Sequence, residues 1–263
     1  PIQDGGTSPQ IKMNYYAVKA LQARILLYKG DKAKAFAAAK LVVDAASFPF
    51  VSGSNISTTF GMDYLFKSEL VFGLRVRTIK DWAVDLYFGN YRSDIGVPNL
   101  SAAQYQTLYE AMGVGQFDNR WNYLLKTPAN AASSVRTTAK YLQTWTQSST
   151  DDRLDQLVPI IRISEMYYIL AETAPNLTES IEWLNKVRLA RNIAALNASA
   201  LTDQTFRQEL TKEYQKEFYA EGQLFFYYKR LNMSSFQFLS GSFTIGNYVL
   251  PIPDGELEVN PNF

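Results

Sequence analysis

The sequence predicts a mainly α-helical fold: stacked tetratricopeptide-like helical hairpins with long loops and minor β structure. Three observations carry that prediction. Apolar residues recur at three- and four-residue steps over residues 13–45 and again over 160–232. Alanines occupy the apolar face of the first stretch, where two helices would cross, and a Gly-Asp pair divides it. Between the two stretches, residues 78–150 lose the helical period while carrying three of the four tryptophans. With 263 residues, 47% of them hydrophobic, the chain is long enough for one domain over 1–263.

The Gly-, Pro- and Ser-rich lead-in ends at a helix start near Met13 or Asn14. Tyr16, Ala20, Ala23 and Leu27 then mark one face. Gly30-Asp31 breaks the helix, and Ala35, Phe36, Ala39, Val42 and Val43 resume the period, giving an antiparallel hairpin. Phe48-Pro49-Phe50 closes it, because proline disfavours helix in the preceding residue. One such unit cannot bury its own apolar faces, so another helical pair must stack on it. Residues 69–76 read as a short strand from their apolar run and late alternation.

After Pro159 the helical period returns from Ile161 to Glu172. A partner helix is expected from Thr178 as N-cap to about Arg191, with Ile181, Leu184 and Val187 on one face. Thr202 or Asp203 caps a third helix through Phe206, Leu210, Tyr214 and Phe218 towards Arg230, interrupted near Gly222. The tail 236–263 reads as mostly loop, extended at Leu250-Pro251-Ile252-Pro253.

Composition narrows the chemistry. There is no cysteine and no histidine. Thiolate zinc sites, cysteine nucleophiles and the usual general base are thereby excluded, and no catalytic residue, metal ligand or cofactor is predicted. Lys plus Arg number 26 against 25 Asp plus Glu, so the net charge of +1 supplies no field for nucleic acid or a membrane surface. No window reaches the ~18 uninterrupted apolar residues of a membrane span. The start at Pro1, without a leader, is expected of a processed or trimmed product.

The most specific pattern is the tail, Leu250-Pro251-Ile252-Pro253, Glu256-Leu257 and Asn260-Pro261-Asn262. It resembles the LPIP-x-x-E-[IL]-x-x-NP-N closing signature of the SusD/RagB family. Three upstream segments are similar to the family's helices in the same order: Arg162 to Glu172, Ile181 to Arg188, and Glu217 to Arg230. In the last of these, Leu224 and Tyr227 stand where the family has Arg and Asp. The first hairpin resembles the family's repeat, with Ala20, Ala23, Arg24, Tyr28, Gly30 and Asp31 in place.

This resemblance implies a non-catalytic surface lipoprotein that captures an oligo- or polysaccharide. It further implies hand-over to a SusC-like TonB-dependent transporter on the cell-surface side of the outer membrane. The family's N-terminal part, with its lipid-anchor cysteine and first helices, would lie outside this chain. The motif charges Arg162, Glu165, Glu172 and Arg188 read as structural ion pairs, and Trp183 as packing.

Ligand-binding candidates lie in the loosely patterned segment: Trp82, Tyr87, Asn90, Tyr91 and Arg92, with Trp121 and Tyr123 in a second polar-aromatic cluster. Flat rings stack on the C–H face of a pyranose while neighbouring polar groups take its hydroxyls. Trp145 is a weaker candidate. Asp81 with Asp85, or Asp151, Asp152 and Asp155, offers paired carboxylates, but spacing alone does not make a glycosidase. Gly113-Val114-Gly115 opens no phosphate motif. The alternative reading is a helical-repeat scaffold for a protein or peptide, which the hairpins equally permit.

Overall fold

Asn14 starts the first helix by accepting a hydrogen bond from the Ala17 amide, one of the donors a helix N-terminus leaves open. From there α1 spans Tyr15–Lys29 and stops at Gly30, whose φ of 85° is a left-handed cap that glycine adopts without strain. Asp31 then caps α2 (Lys32–Asp44) through the Lys34 amide. The two residues of the expected turn thus do different work.

The computed structural model describes residues 9–57, 63–76, 78–83, 100–127, 136–141 and 157–259. The chain forms two compact units, Pro1–Ala220 and Glu221–Phe263. After α2 the first unit contains α3 (Gly53–Ser57), β1 (Leu70–Arg75), α4 (Ile79–Ala83), α5 (Ala102–Leu108), α6 (Asn119–Tyr123), β2 (Leu125–Lys126) and β3 (Thr137–Thr138). It is completed by β4 (Leu157–Arg162), α7 (Ile163–Thr173), α8 (Leu177–Ala190) and α9 (Asp203–Glu217).

α1 packs on α2, α2 on α7 and α7 on α8, which is the predicted stacking of two hairpins. Ala17, Ala20, Ala23, Ala35 and Ala39 are fully buried, and their small side chains let the helices approach closely. Leu27, Val42, Met166, Ile169 and Leu170 fill the same core, each buried side chain contributing about 1.5–3 kcal/mol. Trp183 packs against this core, in ring contact with Tyr167, as the sequence reading has it. A charged clamp joins the hairpins. Arg24 donates to both carboxylate oxygens of Glu165 at 2.6 Å and to the Ile160 carbonyl, a bidentate geometry only guanidinium supplies.

Three expectations need correction. Ile161 and Arg162, read as the start of a helix, instead end the strand β4: it pairs antiparallel with β1, from Leu70 opposite Arg162 to Arg75 opposite Leu157. A short apolar run of Leu, Val and Ile fits strand and buried helix equally by period, and the β-branched content decides for strand. The cap of α8 is Asn176, not Thr178, its side chain accepting from Glu179. Part of the segment expected to be irregular is ordered into α5 and α6 and into a β2–β3 ladder that pairs Lys126 with Thr137. Ser101 and Gln104 close a capping box on α5 whose sequence signature is only four residues long.

Ala220 and Gly222 both sit at positive φ just beyond α9, which accounts for the predicted interruption. In the second unit α10 spans Gln223–Arg230 and α11 spans Asp254–Val259, the latter within the tail expected to be loop. An aromatic chain organises this unit: Tyr228 stacks on Phe236 at 4.5 Å, Phe236 meets Phe243, and Phe243 meets Tyr248. Tyr248 also donates its hydroxyl to the Met233 carbonyl at 2.6 Å.

The close helix crossings give a first prediction. Ala39→Leu overpacks the α1–α2–α7 core and lowers stability by about 1–3 kcal/mol. Ala33→Leu, on the exposed side of the same helix, changes it by less than about 0.5 kcal/mol. Urea unfolding of the two variants beside the parent makes the comparison.

Candidate functional site

The aromatic cluster around α6 is positioned by a buried lattice of charge. Asp118 caps α6 by accepting the Arg120 amide, and the Arg120 guanidinium turns back onto the same carboxylate at 2.9–3.2 Å. Arg120 also reaches Glu217 and Glu213, each at 2.9 Å. Glu217 accepts from Arg162 at 2.6 Å and from Arg191 at 2.7 and 3.0 Å. Arg191 in turn grips both oxygens of Glu69. Glu213 takes Arg188 and Lys216, and Lys140 donates to the Glu217 carbonyl at 2.6 Å.

These groups are almost wholly out of water. Burial alone would raise the carboxyl pKa of Glu217, but Arg191, Arg162 and Arg120 outweigh it and hold the group well below the usual range. For Glu213 the same opposition between burial and the charges of Lys216, Arg120 and Arg188 leaves the pKa at about 2. Burial pushes the Tyr109 hydroxyl up, and that hydroxyl donates to the Lys216 carbonyl.

On this base, Trp121 and Tyr123 diverge. Side chains two apart on a helix do not share a face. Trp121 is half-buried, with Tyr109 at 6.2 Å between ring centroids and the Arg136 guanidinium over its ring at 4.4 Å. Tyr123 instead packs against the cluster of Val51, Ile56, Phe66 and Leu124. The turn leading from Tyr109 into α6 exposes Met112 (88%), Val114 and Phe117 (65%). Gly115 lies within that turn because a Cβ there would collide with the Tyr109 carbonyl oxygen. Asn122 is used locally, donating to the Gln116 and Asp118 carbonyls.

Trp82, on α4, exposes 62% of its surface and is the most accessible aromatic among the predicted binding residues that are described. Tyr87, Asn90, Tyr91 and Arg92 lie outside the described residues, as do Trp145 and the carboxylates Asp85, Asp151, Asp152 and Asp155. The sequence reading missed Arg136, a single arginine in a polar run. It also missed the burial of Arg120, which a polar-aromatic pattern presents as a surface group. The motif charges Arg162, Glu165 and Arg188 are ion-paired inside the fold. Among the described residues no three carboxylates meet as metal ligands, and no helix is long and apolar enough to cross a membrane.

Helical hairpins stacked into a scaffold, with short helices and small antiparallel ladders beside it, define a mainly α-helical, helical-repeat protein. The profile of the SusD family matches residues 99–238, more than half the chain, and the chain belongs to that family. A SusD superfamily protein from Bacteroides thetaiotaomicron superposes with a TM-score of 0.68 at 24% identity, over 97% of this chain and 61% of its own. Surface glycan-binding protein A from Bacteroides uniformis also gives 0.68, at 19% identity, over 99% of this chain and 62% of its own. A SusD-like carbohydrate binding protein from Bacteroides vulgatus gives 0.64 at 18% identity, over 89% of this chain and 48% of its own. The chain therefore spans 48–62% of the length of these structures. A search of curated proteins finds no match.

The lattice makes a pH prediction. Glu213 and Glu217 have folded-state pKa values below the ordinary 4.5, so their stabilisation is complete above pH 4.5 and is lost as the pH falls towards 2. Denaturant titrations at successive pH values below neutral should show this loss. At neutral pH, Glu217→Gln leaves arginine charge buried without its partner and should cost about 3–5 kcal/mol.

Proposed function

We propose that this chain captures a glycan or related nutrient at the cell surface, without catalysing its breakdown, for delivery to a SusC-like TonB-dependent transporter. In this reading the protein sits on the outer face of the outer membrane, held by a lipid anchor that is not part of these 263 residues. Family membership supports the reading, as does the likeness to a surface glycan-binding protein and a carbohydrate binding protein.

The observation that carries it is the exposed indole of Trp82 at the start of the aromatic segment. A soluble core has no use for a tryptophan at that exposure, whereas a pyranose stacks on such a ring.

The second reading, a scaffold for a protein partner, draws on a different surface. Tyr15, Val18, Ile25 and Tyr28 of α1 are exposed. Beside them an open groove of about 620 Å³ is lined by Tyr15, Tyr16, Lys40, Leu41 and Asp44.

Trp82→Ala separates the two readings. Under glycan capture it weakens binding of a saccharide found by array screening about tenfold, roughly 1.4 kcal/mol, with the melting temperature unchanged. An intact full-length protein that binds no saccharide on a broad array, measured by calorimetry as well, would reject capture of glycans.

A further inference from the structure

Resting on the glycan reading, we infer that the Trp121–Arg136 pair recognises an anionic group on the ligand, a uronic acid carboxylate or a sulfate ester. The Arg136 guanidinium stands 4.4 Å over the indole and is half-buried. Among the described residues it donates to no carboxylate and no carbonyl. The other arginines placed near α6 differ sharply: Arg120 pairs with three carboxylates and Arg191 with two. A guanidinium over an aromatic face keeps its N–H donors at its rim and matches two acceptor oxygens at once.

The surroundings favour a ligand that only accepts. Guanidinium and indole N–H groups are donors without acceptor function, and the Trp121 indole N–H likewise has no partner among the described residues. The nearby carboxylates are already engaged, Asp118 by Arg120 and Glu110 by Lys212 and Lys216. A neutral sugar offers hydroxyls that must both donate and accept, whereas the carboxylates described beside this corner are already taken up by cations. A carboxylate or sulfate has acceptor oxygens alone and fits it.

Trp121 carries Arg136 over its ring and meets Tyr109 in a tilted contact, so in this proposal it positions Arg136, while open stacking on a sugar face falls to the more exposed Trp82.

Calorimetric titration of the full-length protein with trigalacturonate, a sulfated galactan trisaccharide and maltotriose tests the inference. At least one of the two acidic probes should bind more tightly than maltotriose, with an affinity that falls as salt rises; which one binds identifies the anion. Arg136→Gln should weaken the acidic probe about tenfold or more and leave maltotriose unchanged. Arg136→Lys, which keeps the charge but loses the fork, should fall between them. Melting curves on both variants show that the fold is retained. If acidic and neutral probes bind alike to parent and Arg136→Gln protein, the inference fails and glycan capture stands. If no saccharide of any class binds, both fail.

Discussion

A single buried carboxylate sets the terms for the first unit. Glu217 is fully removed from water at the end of α9, where an ionised group costs several kcal/mol unless it is surrounded by donors. Arg120, Arg162 and Arg191 supply them, but each is itself a buried cation that needs more than one oxygen. Arg191 finds Glu69, Arg120 finds Asp118 and Glu213, and Arg162 takes the Glu217 carbonyl as well. The requirement propagates until the ends of α8 and α9, the end of β4, the start of α6 and the turn before β1 are all in place. None of these segments can bury its charge alone, so the lattice rewards only the complete arrangement and couples the stacked hairpins to the elements between them.

That coupling explains which parts of the fold were legible in the sequence. The hairpins were readable because their signals are local: Asn14, Gly30 and Asp31 act on residues within four positions, and the alanine period repeats inside one helix. The motif residues Arg24, Glu165, Arg162, Arg188 and Glu217 were readable by resemblance, and the structure pairs Arg24 with Glu165, Arg162 with Glu217 and Arg188 with Glu213. Arg191 with Glu69 was not readable, because 122 positions separate the partners and each looks like a surface charge by itself. The β4 strand failed for another reason. Its hydrogen-bonding partner β1 lies outside any local window, and a six-residue apolar run carries too few repeats to fix a period.

The site follows the same division. Grouping Trp121 with Tyr123 by adjacency put together two rings that the short helix α6 sends to different neighbours. What makes Trp121 a fixed element is the residue before it. Arg120 is locked into the lattice, Asn119 donates its amide to the Arg191 carbonyl, and Tyr109, which flanks the indole, is tied by its hydroxyl to Lys216. A recognition group held on such a base loses little further freedom when a ligand arrives, which is the advantage of preorganised contacts over mobile ones.

Charge balance then limits how selection can operate. A chain with a net charge of +1 cannot gather an acidic glycan through a long-range field, and much of its charge is neutralised pairwise in the interior. In the proposed function, discrimination arises in contact, from donors such as Arg136 that meet no acceptor among the described residues. Such contacts act mainly on the lifetime of the complex, whereas exposed, unscreened charge acts mainly on the rate of encounter. A capture protein that must hold its ligand long enough to pass it on is served by the first kind of control. Under the proposed capture function, Arg136, half-buried over Trp121 beside the ionic lattice, is a contact of that kind.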